Sequence, residues 1–175
     1  MRMRRRLSPE KRVLFVDDEA YVHDYVQNVA RKLRLKPRHA FNPAEAERII
    51  ARRLVAVQKL LSSKQALLQK ETLLPQKRRL RNQIRLLEQM QSQPFNLIVS
   101  DINMPRGDPT GVPLVRKLKY AFPNQKILMH SDDFENLELL AQELGIPSVY
   151  KGARREQDLE TGIRKVLKPE KKPFA

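Results

Sequence analysis

Cysteine is absent from this chain of 175 residues. That removes disulfides, thiolate zinc sites and thiol nucleophiles together, and fits a reducing compartment. Long apolar runs are also missing. The one that follows the basic opening MRMRRR is VLFV, which ends in acids and is too short to be the core of a signal peptide. No stretch approaches the length of a membrane-spanning helix. The expectation is a soluble, cytoplasmic protein with no membrane partner, although an Arg-rich start is shared with organelle transit peptides. Histidines are few, and His23, His39 and His130 share no ligand spacing, so no histidine metal site is expected. Aromatic residues do not occur between 51 and 94, which leaves no base-stacking platform there.

What is abundant is positive charge, formally +15 at pH 7. It is not evenly spread. Residues 1–12 carry six Lys/Arg against one acid, residues 51–94 ten against two, and residues 164–175 five against one. The basic excess therefore lies on appendages, where a patch of one sign marks an anionic partner, and not on the core. The chain is long enough for one domain with a full hydrophobic core and roughly forty or fifty residues to spare.

Along the chain, VLFV (13–16) reads as a strand buried on both faces, and Ala20 to Leu33 repeats apolar residues at three- and four-residue spacing, as on one face of a helix. Pro37 is expected to end that helix, with a short weak strand at 38–41. Asn42 and Pro43 supply a helix cap and first turn. Further strands are expected at 95–100, 126–129 and 148–150, and further helices at 112–120, 136–144 (ended by Gly145) and 155–167. Strands alternating with helices call for a doubly wound five-stranded parallel sheet. In such α/β folds the carboxyl ends of the strands form the functional edge. That edge would gather Asp17, Asp18 and Glu19, then Asp101, then Ser131 with Asp132 and Asp133, then Lys151. Crowded carboxylates call for a cation. A hard divalent ion with oxygen ligands, Mg2+, is the natural occupant, because it needs only one or two carboxylates and shares a phosphate oxygen readily.

These segments resemble the receiver domain of two-component response regulators, a flavodoxin-like fold. VDDE (16–19) is similar to the family's acidic pair, SDINMP (100–105) to its phospho-acceptor loop, HS (130–131) to its hydroxyl position and VYKG (149–152) to its lysine loop, in the family's order. The resemblance covers residues 13–54 and 95–167. It implies that Asp101 accepts a phosphoryl group from a histidine kinase or phosphotransfer protein. Asp18 would ligate Mg2+ directly and Asp17 largely through water, with Asp101 and the backbone carbonyl of Asn103 completing the protein ligands. Lys151 would pair with the phosphoryl group and Ser131 would donate its hydroxyl to it. A metal and an ammonium beside the phosphoryl oxygens are what phosphoryl transfer requires. Such a protein is modified and is not an enzyme beyond self-phosphorylation from small donors and self-hydrolysis.

Four features depart from the family's pattern. Asp132 stands where Ala or Gly is usual, and a further carboxylate near the phosphoryl position should disfavour the phosphorylated state. Ser148 stands where many receivers have an inward-swinging Tyr or Phe. Gly152 replaces a frequent proline after Lys151, and the 106–111 loop is longer than usual.

Family members pass from the second helix to the third strand by a short loop, whereas here some forty residues intervene. Ile50, Leu54, Val57, Leu61 and Leu68 keep a heptad-like rhythm, as do Leu80, Ile84, Leu87 and Gln91. With TLLPQ (72–76) read as a break and the domain's own second helix ending near Leu54, residues 55–94 form an inserted antiparallel helical coiled-coil hairpin with arms at 55–73 and 76–93. The organisation is then a basic tail at 1–12, a receiver domain at 13–167 interrupted by the hairpin, and a tail at 168–175, both tails expected to be disordered. Lys77, Arg78, Arg79, Arg81 and Arg85 put the hairpin's charge near its tip and second arm. A protein partner or self-association through 55–93, a nucleic-acid backbone, or a merely solvated face all fit. Two functions stay open: a Mg2+-dependent phospho-acceptor whose hairpin is the output or assembly surface, and a phosphorylation-independent scaffold or nucleic-acid-binding protein on the same fold.

Overall fold

The computed structural model describes residues 11–104 and 111–168. Five strands form one parallel sheet in the order β2-β1-β3-β4-β5, with β1 Lys11–Val16, β2 Leu35–Ala40, β3 Leu97–Ser100, β4 Ile127–Ser131 and β5 Ser148–Tyr150. The helices are α1 Ala20–Leu33, α2 Pro43–Lys70, α3 Leu74–Ser92, α4 Gly111–Ala121, α5 Phe134–Leu144 and α6 Arg155–Leu167. Alternation along the strands sends side chains to opposite faces. Leu14, Val16, Ile98 and Met129 pack with α2, α4 and α5 on one face. Val13, Phe15, Leu97, Val99 and Leu128 pack with α1 and α6 on the other. Each fully buried aliphatic side chain in these layers contributes roughly 1.5–3 kcal/mol.

Several boundaries differ from the sequence reading. Lys11 and Arg12 belong to β1, so the sheet begins inside the expected tail. Residues 1–10, the acceptor-loop segment 105–110 and residues 169–175 lie outside the described residues. Helix α1 ends one residue before Arg34, which takes a left-handed φ of 53°. Pro37 therefore does not end it but sits within β2, an edge strand paired only to β1, where its missing N–H is tolerated.

The second helix does not stop near Leu54. α2 runs unbroken for 28 residues, capped by the Asn42 side chain, which accepts from the Glu45 N–H at 2.8 Å. Its interior has neither Gly nor Pro to break it. α3 returns antiparallel beside it: Arg53 bonds to the Pro94 carbonyl and Gln91 to Gln58, and Val57, Leu61 and Ile84 are buried between them. Pro75 lies in the first turn of α3, where its missing N–H costs nothing, so the link between the helices is only Glu71 to Leu73. Among the described residues, no helix is long and apolar enough to cross a membrane.

Candidate functional site

The strand order reverses between β1 and β3, and Val16 is in register with Ser100 there. The next residues, Asp17 and Asp101, consequently leave the sheet side by side. Their backbones are fixed: the Asp17 N–H donates to the Ala40 carbonyl at 3.0 Å and the Asp101 N–H to the Val16 carbonyl at 2.8 Å. Ser131 ends β4 opposite Tyr150 of β5, and the Lys151 N–H donates to the Ser131 carbonyl at 2.8 Å, which carries Lys151 to the same edge. Gly111, at the start of α4, lies so close beneath that a Cβ there would fall 1.8 Å from the Asp101 carbonyl oxygen. Only glycine fits this approach.

Lys151 Nζ is the centre of the cluster. It lies 2.6 Å from Asp101 Oδ2, 2.8 Å from Asp17 Oδ2 and 3.1 Å from Glu19 Oε2. The Lys151, Asp17 and Asp101 side chains are buried, and Glu19 is partly exposed. Three carboxylates face one ammonium, which leaves negative charge uncompensated when all are ionised. Burial, against the pull of Lys151, pushes Asp17 up to about 7. Burial likewise raises Asp101, although Lys151, the Asn103 N–H and the Ser131 hydroxyl hold it down. For Lys151 burial favours the neutral form, but Asp17 and Asp101 outweigh it and hold the ammonium above the usual lysine range. Burial acts to raise Glu19 too, yet the Tyr21 hydroxyl, which donates to it at 2.8 Å, and Lys151 keep it below its ordinary value.

Carboxylate oxygens of Asp17, Glu19 and Asp101 lie within 4.8 Å of one another. Asp18 Oδ1 is buried with no hydrogen-bond partner, and Asp17 Oδ2 has its ion pair with Lys151 alone. Hard oxygen donors converging with excess charge and unpartnered lone pairs fit Mg2+. Of the expected ligands, Asp17 and Asp101 fall in this group. Asp18 stands outside it but contributes the unpartnered Oδ1, and Asn103 reaches Asp101 through its N–H, which donates to Oδ1 at 2.9 Å. Glu19 was expected at this edge but not among the metal ligands, because three consecutive acids do not reveal which of them turn inward.

Ser131 is fully buried, and its Oγ accepts from the Asp133 N–H at 3.3 Å. Asp132, the next residue, is exposed. Asp133 caps α5 through the Asn136 N–H. Gly152 clears Tyr150, whose ring would lie 2.9 Å from a Cβ at that position.

A chain of side chains that the sequence did not reveal supports the edge. The Gln27 amide lies 2.8 Å from His39 Nε2, His39 Nδ1 lies 2.5 Å from His23 Nδ1, and His23 Nε2 lies 3.0 Å from the Asp17 carbonyl. Every link is satisfied when both rings are neutral. Burial pushes His39 down to about 4, helped by His23. His130 is buried within β4, 3.4 Å from the Tyr25 hydroxyl, and burial with the charge of Lys151 drives it down to about 3.

Of the candidate cations on α3, Arg78, Arg79, Arg81 and Arg85 are exposed and Lys77 is half-buried. None of the five has an ion-pair partner among the described residues.

No family model and no curated protein sequence matches the chain. Among solved structures it is similar to the chemotaxis response regulator CheY4 of Vibrio cholerae, at 18% identity and TM-score 0.55, over 90% of this chain and 99% of that one. It is similar to a response regulator receiver domain protein from Clostridium thermocellum, at 15% identity and TM-score 0.58, over 90% and 94% of the two chains. The response regulator TrrA from Thermotoga maritima, solved in complex with Mg(2+)-BeF, is similar at 17% identity and TM-score 0.56, over 90% and 99%. The shared property is the fold, a five-stranded parallel sheet of the receiver type.

Proposed function

We propose that this receiver fold works as a phospho-acceptor signalling module, taking a phosphoryl group on Asp101 from the phosphohistidine of a cytoplasmic histidine kinase or phosphotransfer protein. The observation that carries the reading is the Lys151 ammonium 2.6 Å from Asp101, in a buried acidic pocket beside the unpartnered Asp18 Oδ1. An Asp101 carboxylate oxygen attacks phosphorus; the new P–O bond forms as the P–N bond breaks, and that electron pair leaves with the donor's imidazole. Burial raises Asp101 and Lys151 acts against that rise, while the Asn103 N–H fixes the carboxylate through Oδ1. As charge moves onto the phosphoryl oxygens, the ammonium and the buried Ser131 hydroxyl stand ready beside them. Asp17, Glu19 and Asp101 would hold Mg2+, with Asp18 beside them, and the ion when bound supplies neutralisation of the phosphoryl oxygens. The chain is modified and turns over no substrate of its own, apart from self-phosphorylation by small donors and self-hydrolysis. The α2–α3 pair serves as the output or assembly surface.

The three ion pairs already made by Lys151 favour a second reading, in which the pocket is a closed structural cluster and the protein a phosphorylation-independent scaffold. Intact mass after incubation with acetyl phosphate and Mg2+ separates the two. The first expects a gain of one phosphoryl group in the wild type and none in Asp101→Asn; an unchanged wild-type mass overturns it.

A further inference from the structure

The helix pair formed by α2 and α3 carries an apolar surface that its own packing leaves uncovered. Leu60 and Leu67 are about half exposed, at 53% and 48%, and stand two turns apart on one face of α2. Beside Leu67 a groove of about 370 Å3 opens towards the link between the helices, lined by Lys64 from α2 and by Arg79 and Leu80 from α3. Its acid, Glu71, is already engaged: Oε1 accepts from the Thr72 and Leu73 N–H groups at 3.0 and 2.9 Å, ahead of α3. Lys64 and Arg79 are left without an ion-pair partner among the described residues. The floor of the groove is thus leucine, and its rim carries two cations against one carboxylate that is turned to the backbone of the link.

Each candidate occupant must account for both features. A nucleic-acid backbone satisfies the cations but gives the leucines nothing to bury against. A second copy would bury the leucines, yet it would bring together two segments that each hold ten Lys/Arg and two acids over residues 51–94. A helix with an apolar stripe and carboxylate flanks satisfies both at once. We infer that this groove docks an acidic amphipathic helix from a partner protein, its apolar stripe on Leu60 and Leu67 and its carboxylates against Lys64 and Arg79. The inference builds on the reading of α2–α3 as an output surface but does not depend on phosphorylation of Asp101, which the mass measurement tests separately.

The test is a selection against the full-length protein. The probe is a displayed library of helical peptides with leucines fixed on one stripe and every other position drawn from Glu, Lys, Gln and Ala. Enrichment of net-negative sequences is expected. Their binding should weaken about tenfold or more with Lys64→Glu and Arg79→Glu together, and recover when Glu is exchanged for Lys in the peptide. Leu60→Gln with Leu67→Gln should abolish binding and, both residues being half exposed, lower the melting temperature only slightly. Three results overturn the inference: enrichment of neutral or basic peptides or of none, retention of peptide binding by the double leucine variant, and displacement of the peptide by duplex DNA at equal concentration. Sedimentation of the wild type as a dimer that the double leucine variant dissolves overturns it as well, since the groove is then filled by a second copy.

Discussion

Lys151 shows how much one side chain can hold together. Its ammonium compensates two carboxylates drawn out of water from opposite halves of the chain, so removing it leaves both buried and unpaired. Lys151→Met should cost about 3–5 kcal/mol in urea unfolding at neutral pH. Adding Asp17→Asn and Asp101→Asn to that variant should restore most of the loss. Acid titration exposes two opposing groups. His130 is held near 3, below its unfolded value of about 6.5, so its contribution is present above the unfolded value and is lost as pH falls, by about 2 kcal/mol between pH 7 and 5. His39 acts in the same direction. Asp17 is raised to about 7, so its contribution is present in acid and is lost as pH rises through that value. The two trends offset each other in the wild type. Urea midpoints at pH 7 and pH 5 should therefore fall more steeply on acidification in Asp17→Asn, and should flatten or rise in His130→Leu.

At the level of helices and strands, glycine within α6 runs against propensity. Gly162→Ala would ordinarily stabilise a helix by roughly 1 kcal/mol. Here the added Cβ would fall 2.4 Å from Val149 Cγ2 on β5, a stiff β-branched side chain. Overpacking should win, and thermal unfolding should show a net loss of about 1 kcal/mol. The same scale explains what could be read in advance. VLFV and NLIVS end in acids, so the strands and their acidic edge followed from composition and order alone, and Asp17, Asp101, Ser131 and Lys151 do meet. Which of Asp17, Asp18 and Glu19 faces inward depends on backbone angles just beyond β1, which no pattern of residue types encodes. The pairing of His23 with His39 arises because β2 lies beside β1 in the register that places His39 opposite Phe15, a fact of assembly. The continuity of α2 was within reach of the sequence, since no Gly or Pro occurs from Ala44 to Leu74. An expected boundary at Leu54, borrowed from the length of related helices, concealed it.

For the whole molecule, the Mg2+ proposed above would share one acidic edge with the Lys151 ammonium. Mg2+ binding to the folded state but not to the unfolded chain should raise the melting temperature, with about 2.7 kcal/mol gained at a hundredfold excess over Kd. Asp17→Asn should abolish the gain, and Asp18→Asn should reduce it if the unpartnered Oδ1 takes part. Thermal melts with Mg2+ and with EDTA measure this directly. An equal response in all three proteins would place the ion elsewhere.

The unbroken course of α2 has a mechanical consequence. Its first turns are anchored in the core through Ala46 and Ile50, while its far end lies at Lys70, about 40 Å away at 1.5 Å per residue. With α3 as a brace and no joint between root and end, the pair is a lever: a load applied at Leu73 becomes torque on the sheet.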